Sequence, residues 1–171
     1  MCGIVGVIGR HKIGLLAQHL TCFDQLLYID ALRGEDSTGL IGVGRDTSFH
    51  IAKEASEATY FLYGYSKEKA RSELVRDGKA VIGHNRKKTY GEINDENAHP
   101  FVVNGEFAMV HNGTLRNHDK LAKTNVDSEA LAIHLHKAFE DDNDTAAIEK
   151  ALGEVEGAYA VAMYDQRVNK V

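Results

Sequence analysis

The chain begins, after Met1, with the stretch Cys2-Gly3-Ile4-Val5-Gly6-Val7-Ile8-Gly9. Its β-branched residues favour an extended backbone, and glycines bracket the run. A short apolar segment of this kind predicts a strand that is buried within the fold. We therefore expect residues 2–9 to lie inside the protein rather than on its surface.

Cys2 follows the initiator methionine and is itself followed by glycine, a context that permits removal of Met1. Removal gives Cys2 a free α-amino group, whose pKa of roughly 7.7 to 8.0 lets it accept the thiol proton near neutral pH. A thiolate that carries its own base is the cysteine form of an N-terminal nucleophile. The alternative is that Cys2 is only a small buried apolar residue at the start of a strand.

Beyond residue 9, helical and extended patterns alternate. Apolar residues recur at three- and four-residue steps over residues 13–32, which predicts an amphipathic helix. Further helices are predicted over residues 67–76, 128–139 and 145–152, and further strands over residues 37–45, 48–53, 79–83, 106–111 and 158–164. The polar stretch before residue 106, which contains Pro100, is predicted to be a loop. This alternation predicts a layered α/β or α+β domain.

The bulk composition narrows the classes of function. The 171 residues are 43% hydrophobic and 26% charged, which fits one domain over residues 1–171. The net charge of −5 and the scattered basic residues argue against nucleic acid as a ligand. We expect no membrane span, and two cysteines fit a reducing, cytoplasmic setting. His134 and His136 lie two apart and face different sides of a helix, so we expect no metal site.

Six motifs, in order, resemble the segments of class II glutamine amidotransferase domains, most closely the glutaminase domain of glucosamine-6-phosphate synthase. They are Cys2-Gly3-Ile4-Val5-Gly6, Arg33-Gly34-Glu35-Asp36-Ser37, Gly83-His84-Asn85-Arg86, Asn97-Ala98-His99-Pro100-Phe101, His111-Asn112-Gly113 and Asp127-Ser128-Glu129. The resemblance implies an α+β fold, the four-layer αββα sandwich of N-terminal-nucleophile hydrolases. It also implies a sandwich shortened at its C-terminal end, because family domains continue beyond the last predicted strand.

Amide hydrolysis requires hydrogen-bond donors where the tetrahedral oxyanion forms. The resemblance assigns this role to the side chain of Asn112 and the backbone N–H of Gly113. From the residues alone, a hairpin turn is the favoured interpretation of Asn-Gly. Arg33 matches a segment packed beside the nucleophile, and we expect it to orient the backbone of Cys2.

Binding of free glutamine requires a cation for its carboxylate and an anion for its ammonium group. Arg86 follows a predicted strand and Asp127 begins a predicted helix, and the resemblance gives them these two roles. The alternatives are a solvated arginine and a helix-capping aspartate. Thr89 and His99 match positions that line the glutamine pocket in relatives.

Three positions depart from the family pattern. Lys87 replaces an aromatic residue, Tyr90 a histidine, and Val126 a serine or threonine. The first two affect the roof of the expected pocket, and the third affects the helix cap.

The resemblance implies hydrolysis of L-glutamine to glutamate and ammonia through a Cys2 thioester, without a cofactor. The ammonia would pass to a synthase on a separate chain or on a missing domain. Two alternatives stay open: a glutamine-binding regulatory module without turnover, and another N-terminal-nucleophile amidohydrolase. The pairing of Arg86 with Asp127 argues against the second, since an acylase has no need to bind both charges of an amino acid.

Overall fold

The structure is a computed structural model that describes residues 2–9, 13–64, 71–72, 74, 77–141 and 145–168. Its strands are β1 (Gly3–Ile8), β2 (Ser37–Gly44), β3 (Phe49–Glu54), β4 (Gly78–Arg86), β5 (Phe101–Val103), β6 (Phe107–Leu115) and β7 (Gly157–Asp165). Its helices are α1 (Ala17–Asp30), α2 (Ala58–Tyr63), α3 (His118–Leu121), α4 (Asp127–Asp141) and α5 (Thr145–Gly153), with a 3₁₀ turn at Ala31–Arg33.

The strands form two antiparallel sheets. The first sheet has the order β1-β4-β2-β3, so β4 lies between β1 and β2, with Gly83 opposite both Val5 and Leu40. The second sheet has the order β5-β6-β7, with Val110 opposite Ala162. Strand β5 is short and pairs with β6 only as far as Met109, so the rest of β6 has no strand on that side within the described residues.

Alternation along the strands builds the layers, because successive side chains point to opposite faces of a sheet. In β4, Ile82 packs in the core between the two sheets, whereas its neighbour Val81 packs against α1. Gly83 permits close packing of α1, since a Cβ there would lie 2.6 Å from Cζ of Phe23. Burial of a side chain such as Phe23 contributes roughly 1.5–3 kcal/mol.

Helices α4 and α5 cover the outer face of the second sheet, where Phe107 and Met109 pack against Leu131 and Leu135. The layer order is therefore helix, sheet, sheet, helix. This is the predicted α+β, four-layer αββα sandwich, and that prediction is confirmed. Among the described helices, none combines the length and apolarity that crossing a bilayer requires.

Several predicted boundaries were wrong. The first helix begins at Ala17 rather than at residue 13, because Gly14 has φ +73° and the Leu15 nitrogen donates instead to Gly78 O. Strand β4 continues to Arg86, three residues further than predicted, and β6 continues to Leu115. Helices α2 and α3 and strand β5 were not predicted. Much of the predicted helix over residues 67–76 lies outside the described residues.

Candidate active site

Cys2 lies immediately before β1 and is 8% exposed. Its carbonyl oxygen accepts a hydrogen bond of 3.0 Å from Nε of Arg33, in the 3₁₀ turn after α1. Arg33 also lies 3.9 Å from the carboxylate of Asp30. Arg33 therefore contacts the Cys2 backbone; that it orients this backbone for catalysis stays a prediction.

The sulfur of Cys2 lies against the backbone just after β4. The Lys87 N–H donates to Sγ at 3.2 Å, and Sγ lies 3.4 Å from the Lys87 carbonyl oxygen. Burial raises the pKa of the Cys2 thiol, whereas the Lys87 hydrogen bond and the charge of Arg86 act to lower it. The N–H of Lys87 is therefore placed to stabilise a thiolate at Cys2.

Arg86 ends β4 and its side chain is enclosed, with 3% of the residue exposed. Its Nη1 donates to Glu92 O at 3.0 Å, and its Nη2 donates to Tyr90 O. Burial lowers the pKa of the guanidinium, while the charges of Cys2, Asp127 and Asp36 raise it. Since a guanidinium has five N–H donors, the two loop carbonyls leave capacity for a carboxylate. Arg86 is thus not the solvated arginine of the alternative interpretation.

Asp127 is the first residue of α4 and is 2% exposed. Its Oδ2 accepts the Leu115 N–H at 3.0 Å, and its Oδ1 accepts the Ser128 N–H at 2.9 Å. The carboxylate therefore joins the end of β6 to the first turn of α4. This bonding accounts for the helix-capping role without a serine or threonine at position 126. Oδ1 also accepts the Ser128 hydroxyl at 3.5 Å, whereas Oδ2, with the Leu115 N–H as donor, has the capacity for a further one.

Asn112 and Gly113 lie inside β6, opposite Ala160 and Tyr159, so they do not form the hairpin turn of the alternative interpretation. The Leu115 N–H points away from β7, since it donates to Asp127. Backbone direction alternates along an antiparallel strand, so the Gly113 N–H points the same way. Both N–H groups therefore point to the β5 side of β6, along the part of β6 that continues beyond the end of β5. Gly113 has no positive φ; a Cβ there would lie 1.9 Å from Ala158 O, and this close approach is what requires glycine.

Thr89 and His99 occupy contrasting positions. Thr89 is exposed in the loop after β4. His99 is 2% exposed and is enclosed between the rings of His84, at 3.8 Å between centroids, and Phe101, at 4.8 Å. The sequence pattern could not distinguish a pocket-lining histidine from one packed between the sheets.

His84 lies beside His99 between the sheets, whereas the ring of His111, on the same face of β6 as Phe107 and Met109, faces α4. The Nε2 of His84 donates to His111 O at 2.9 Å, and Nδ1 of His111 lies 2.8 Å from Ser128 Oγ. Burial lowers the pKa of His84 to about 3, and it lowers the pKa of His99 well below the ordinary value and that of His111 as well. All three imidazoles are therefore neutral near neutral pH.

The two helical histidines contact different groups. Nε2 of His134 lies 3.0 Å from Ala151 O, and Nε2 of His136 lies 2.9 Å from Oε1 of Glu106. Their side chains diverge, as the two-residue spacing predicts.

A cleft of about 650 Å³ opens next to Cys2. Its wall includes Arg33 and Lys87, which both bond to Cys2, together with Gly34 and Glu35. The cleft therefore borders residues that contact Cys2, on the side formed by the 3₁₀ turn, but Cys2 itself is not among its lining residues.

Comparison with known proteins decides the family. The family model for class-II glutamine amidotransferases matches residues 47–163. The chain belongs to the class-II glutamine amidotransferases. The recognition made from the six motifs is thereby confirmed, and so is the enzyme class that it implied.

Relatives of this class-II amidotransferase chain include enzymes named glutamine–fructose-6-phosphate aminotransferase. The one from Lactococcus lactis is 33% identical over 96% of this chain and 27% of its own length. The one from Legionella pneumophila is 28% identical over 98% of this chain and 28% of its own length. The chain therefore spans only about a quarter of these relatives.

Solved structures share the fold. The glutamine phosphoribosylpyrophosphate amidotransferase of B. subtilis, complexed with ADP and GMP, superposes with a TM-score of 0.69 at 22% identity. It covers 97% of this chain, which corresponds to 35% of that structure. A second structure, of an allosteric regulatory enzyme of purine biosynthesis, gives a TM-score of 0.66 at 24% identity, with 97% of this chain and 36% of the other covered.

The amidotransferase site also uses residues that the sequence analysis did not single out. Asn85 accepts from Thr38 Oγ1 at 3.1 Å and donates to Leu27 O at 2.8 Å, so it joins the first sheet to the end of α1. Asp36 Oδ2 accepts the Lys88 N–H at 2.7 Å. Both residues lie within the quoted motifs, so a polar residue in a motif without an assigned role was the available signal.

Proposed function

We propose that this chain hydrolyses L-glutamine to glutamate and ammonia, with Cys2 as the nucleophile. The observation that carries the proposal is the fixation of Cys2 on two sides. Arg33 donates to its carbonyl oxygen at 3.0 Å, and the Lys87 N–H donates to its sulfur at 3.2 Å. A thiol that served only as core packing would not require a hydrogen-bond donor directed at its sulfur.

The reaction begins after Met1 has been removed. The α-amine of Cys2 takes the thiol proton, and the thiolate attacks the side-chain amide carbon of glutamine. The tetrahedral intermediate collapses when the C–N bond breaks and the protonated amine returns the proton to the leaving nitrogen, which releases ammonia. A water molecule, deprotonated by the same amine, then hydrolyses the glutamyl thioester to glutamate and regenerates the thiol.

Asn112 and Gly113 stabilise the oxyanion in this proposal. The Gly113 N–H faces the edge of β6 that β5 leaves unpaired, and the side-chain amide of Asn112 supplies a second donor. Both donors sit on a strand that packs against the first sheet, so they are held before the charge develops. Fixed donors of this kind are worth roughly 10²–10³ in kcat each.

Arg86 and Asp127 bind the two charged groups of free glutamine. The charges of Cys2 and Asp127 both act on the Arg86 guanidinium, which supports a shared site for the three groups. The backbone bonds of Asp127 and the loop contacts of Arg86 fix both side chains in advance. Thr89, in the loop held by Arg86, contacts the substrate from the exposed side. The ring of His99 is enclosed in the inner layer, so in this proposal His99 supports the site from within the protein.

The ammonia has an acceptor on another domain or chain. The matched relatives are named for glutamine and fructose 6-phosphate, and this chain spans about 27% of their length. Ammonia is mostly protonated at neutral pH, so its transfer is efficient when the acceptor site adjoins the site of release and excludes water. We propose a synthase domain or subunit as the partner.

A glutamate-release assay on protein with Met1 removed tests the hydrolysis. The parent protein and Cys22→Ala are expected to release glutamate, whereas Cys2→Ala is expected to release none while it retains the parent's thermal unfolding. Cys22 is the matched control because it is the other free cysteine and is exposed. Glutamate release by Cys2→Ala at the parental rate, or glutamine binding without any turnover by the parent, would refute the proposal.

A further inference from the structure

Two consecutive peptide units, Arg86–Lys87 and Lys87–Lys88, lie next to the sulfur of Cys2. Asp36 forms a hydrogen bond with each of them on the side away from the sulfur. The Asp36 N–H donates to Arg86 O at 3.0 Å, and Asp36 Oδ2 accepts the Lys88 N–H at 2.7 Å. In a trans peptide the C=O and N–H point in opposite directions. The other end of the first unit is the Lys87 N–H that donates to Sγ at 3.2 Å, and the other end of the second is the Lys87 carbonyl, 3.4 Å from Sγ.

We propose that Asp36 is a positioning residue, whose carboxylate fixes the backbone of Lys87 against the sulfur of Cys2. The inference rests on the proposed function, since this position matters for catalysis only if Cys2 is the nucleophile. The Asp36 side chain is 15% exposed, and its charge-assisted bond of 2.7 Å to the Lys88 N–H lies at the surface end of this arrangement. Its backbone N–H contact with Arg86 O is kept by every substitution except proline, so the carboxylate contact is the one that the variants below remove.

The ion pair of Asp36 is a separate and weaker contact. The Lys87 Nζ lies 3.4 Å from Asp36 Oδ1 and 3.3 Å from Glu35 Oε1, and the Lys87 and Glu35 side chains are 46% and 70% exposed. Exposed ion pairs of this kind contribute little. Glu35 shares the lysine with Asp36, but it contacts the side-chain Nζ of Lys87 and not the two peptide units. Glu35→Gln therefore removes the same charge from the same lysine without releasing the backbone.

If the Asp36 carboxylate positions the Lys87 backbone, its removal changes the pKa of the Cys2 thiol in one direction. If the carboxylate acts only through its charge, its removal changes that pKa in the opposite direction. Burial raises the pKa of Cys2 and the Lys87 hydrogen bond lowers it, so loss of that bond raises the pKa further. Removal of a nearby negative charge, by itself, lowers the pKa of a thiol. Arg86, which lowers the pKa of Cys2, and Asp127, which raises it, are unchanged in the variants proposed below, as are Arg33 and Lys87.

The test is the pH profile of Cys2 alkylation by iodoacetamide, measured on processed protein in a Cys22→Ala background. Asp36→Ala is expected to shift the profile upward by about one pH unit, which is about a tenfold slower reaction below the thiol pKa. Asp36→Asn retains an acceptor oxygen for Lys88 and is expected to restore most of the rate. Glu35→Gln is expected to keep the parental profile.

Alkylation measures the reactivity of the Cys2 thiol whether or not glutamine is hydrolysed. The inference and the proposed function can therefore be refuted separately. An unshifted or downward-shifted profile in folded Asp36→Ala, or equal profiles for Asp36→Ala and Asp36→Asn, would overturn the inference. Loss of glutamate release from a parent protein with a normal profile would overturn the function alone. If Asp36→Ala does not fold, Asp36→Ser replaces it, because its shorter side chain falls short of the Lys88 nitrogen.

Discussion

Acid is expected to destabilise this fold through three buried histidines, His84, His99 and His111. The pKa of His84 falls from an ordinary 6.5 to about 3 on burial, so the folded protein holds His84 neutral over a range in which the unfolded chain protonates it. A folded-state pKa below the unfolded one gives stability that is complete above the unfolded pKa and is lost as the pH falls below it. At about pH 5, the titration of His84 alone lowers the free energy of unfolding by about 2 kcal/mol relative to neutral pH. His99 and His111 act in the same direction.

Urea unfolding at a series of pH values measures this effect. The unfolding free energy of the parent is expected to fall by at least about 2 kcal/mol between neutral pH and about pH 5. His84→Gln keeps a donor for His111 O but cannot titrate, so its stability is expected to depend less on pH by about that amount. His19→Gln, a substitution in α1 outside the cluster, controls for the loss of a histidine as such. Equal pH dependence in the parent and His84→Gln would refute the reasoning.

Four further predictions concern the active site. Asn112→Ala is expected to lower kcat roughly a hundredfold in steady-state glutaminase assays, and an unchanged kcat would remove it from the oxyanion site. Arg86→Ala and Asp127→Ala are each expected to weaken glutamine binding by roughly 2–4 kcal/mol in calorimetry, and unchanged affinity would place the charge contacts elsewhere. Gly34→Ala is expected to lower the free energy of unfolding by roughly 1–3 kcal/mol and to lower kcat, because its Cβ would lie 2.7 Å from the Lys87 nitrogen. Gly153→Ala is the control, because its Cβ would have no atom within 4 Å. A fraction that retains Met1 is expected to be inactive, and comparable turnover by such a fraction, identified by intact mass, would contradict the N-terminal-amine mechanism.

Individual helices and strands could be predicted from local patterns, whereas the four-layer order followed only from the family resemblance, and the full length of the strands could not be predicted. The β-branched run after Cys2 and the three- and four-residue spacing in α1 are local signals, and both predict the right element. Strand β4 continues through His84, Asn85 and Arg86, whose polar side chains suggest a loop. Those side chains are stabilised in a buried strand by distant partners, such as Leu27 O for Asn85 and His111 O for His84. Such partners are not visible in a single sequence.

The predicted site residues divide in a similar way. Arg33 and Arg86 act through side chains, so the residue type and the motif suffice to suggest what they contact. The donor at the Cys2 sulfur is the backbone N–H of Lys87, which any residue except proline would supply, so the sequence carries no sign of it. His99 shows the converse case, because its enclosure depends on where β5 and β4 meet.

The assignment of Cys2 as the nucleophile is tested most directly by labelling with a diazo-ketone analogue of glutamine. Processed protein is incubated with the analogue, and peptide mass spectrometry locates the adduct. The account predicts one adduct per chain, on Cys2, that excess glutamine prevents, with the exposed Cys22 unmodified. An adduct on Cys22 alone, or labelling of Cys2 that glutamine does not slow, would contradict it.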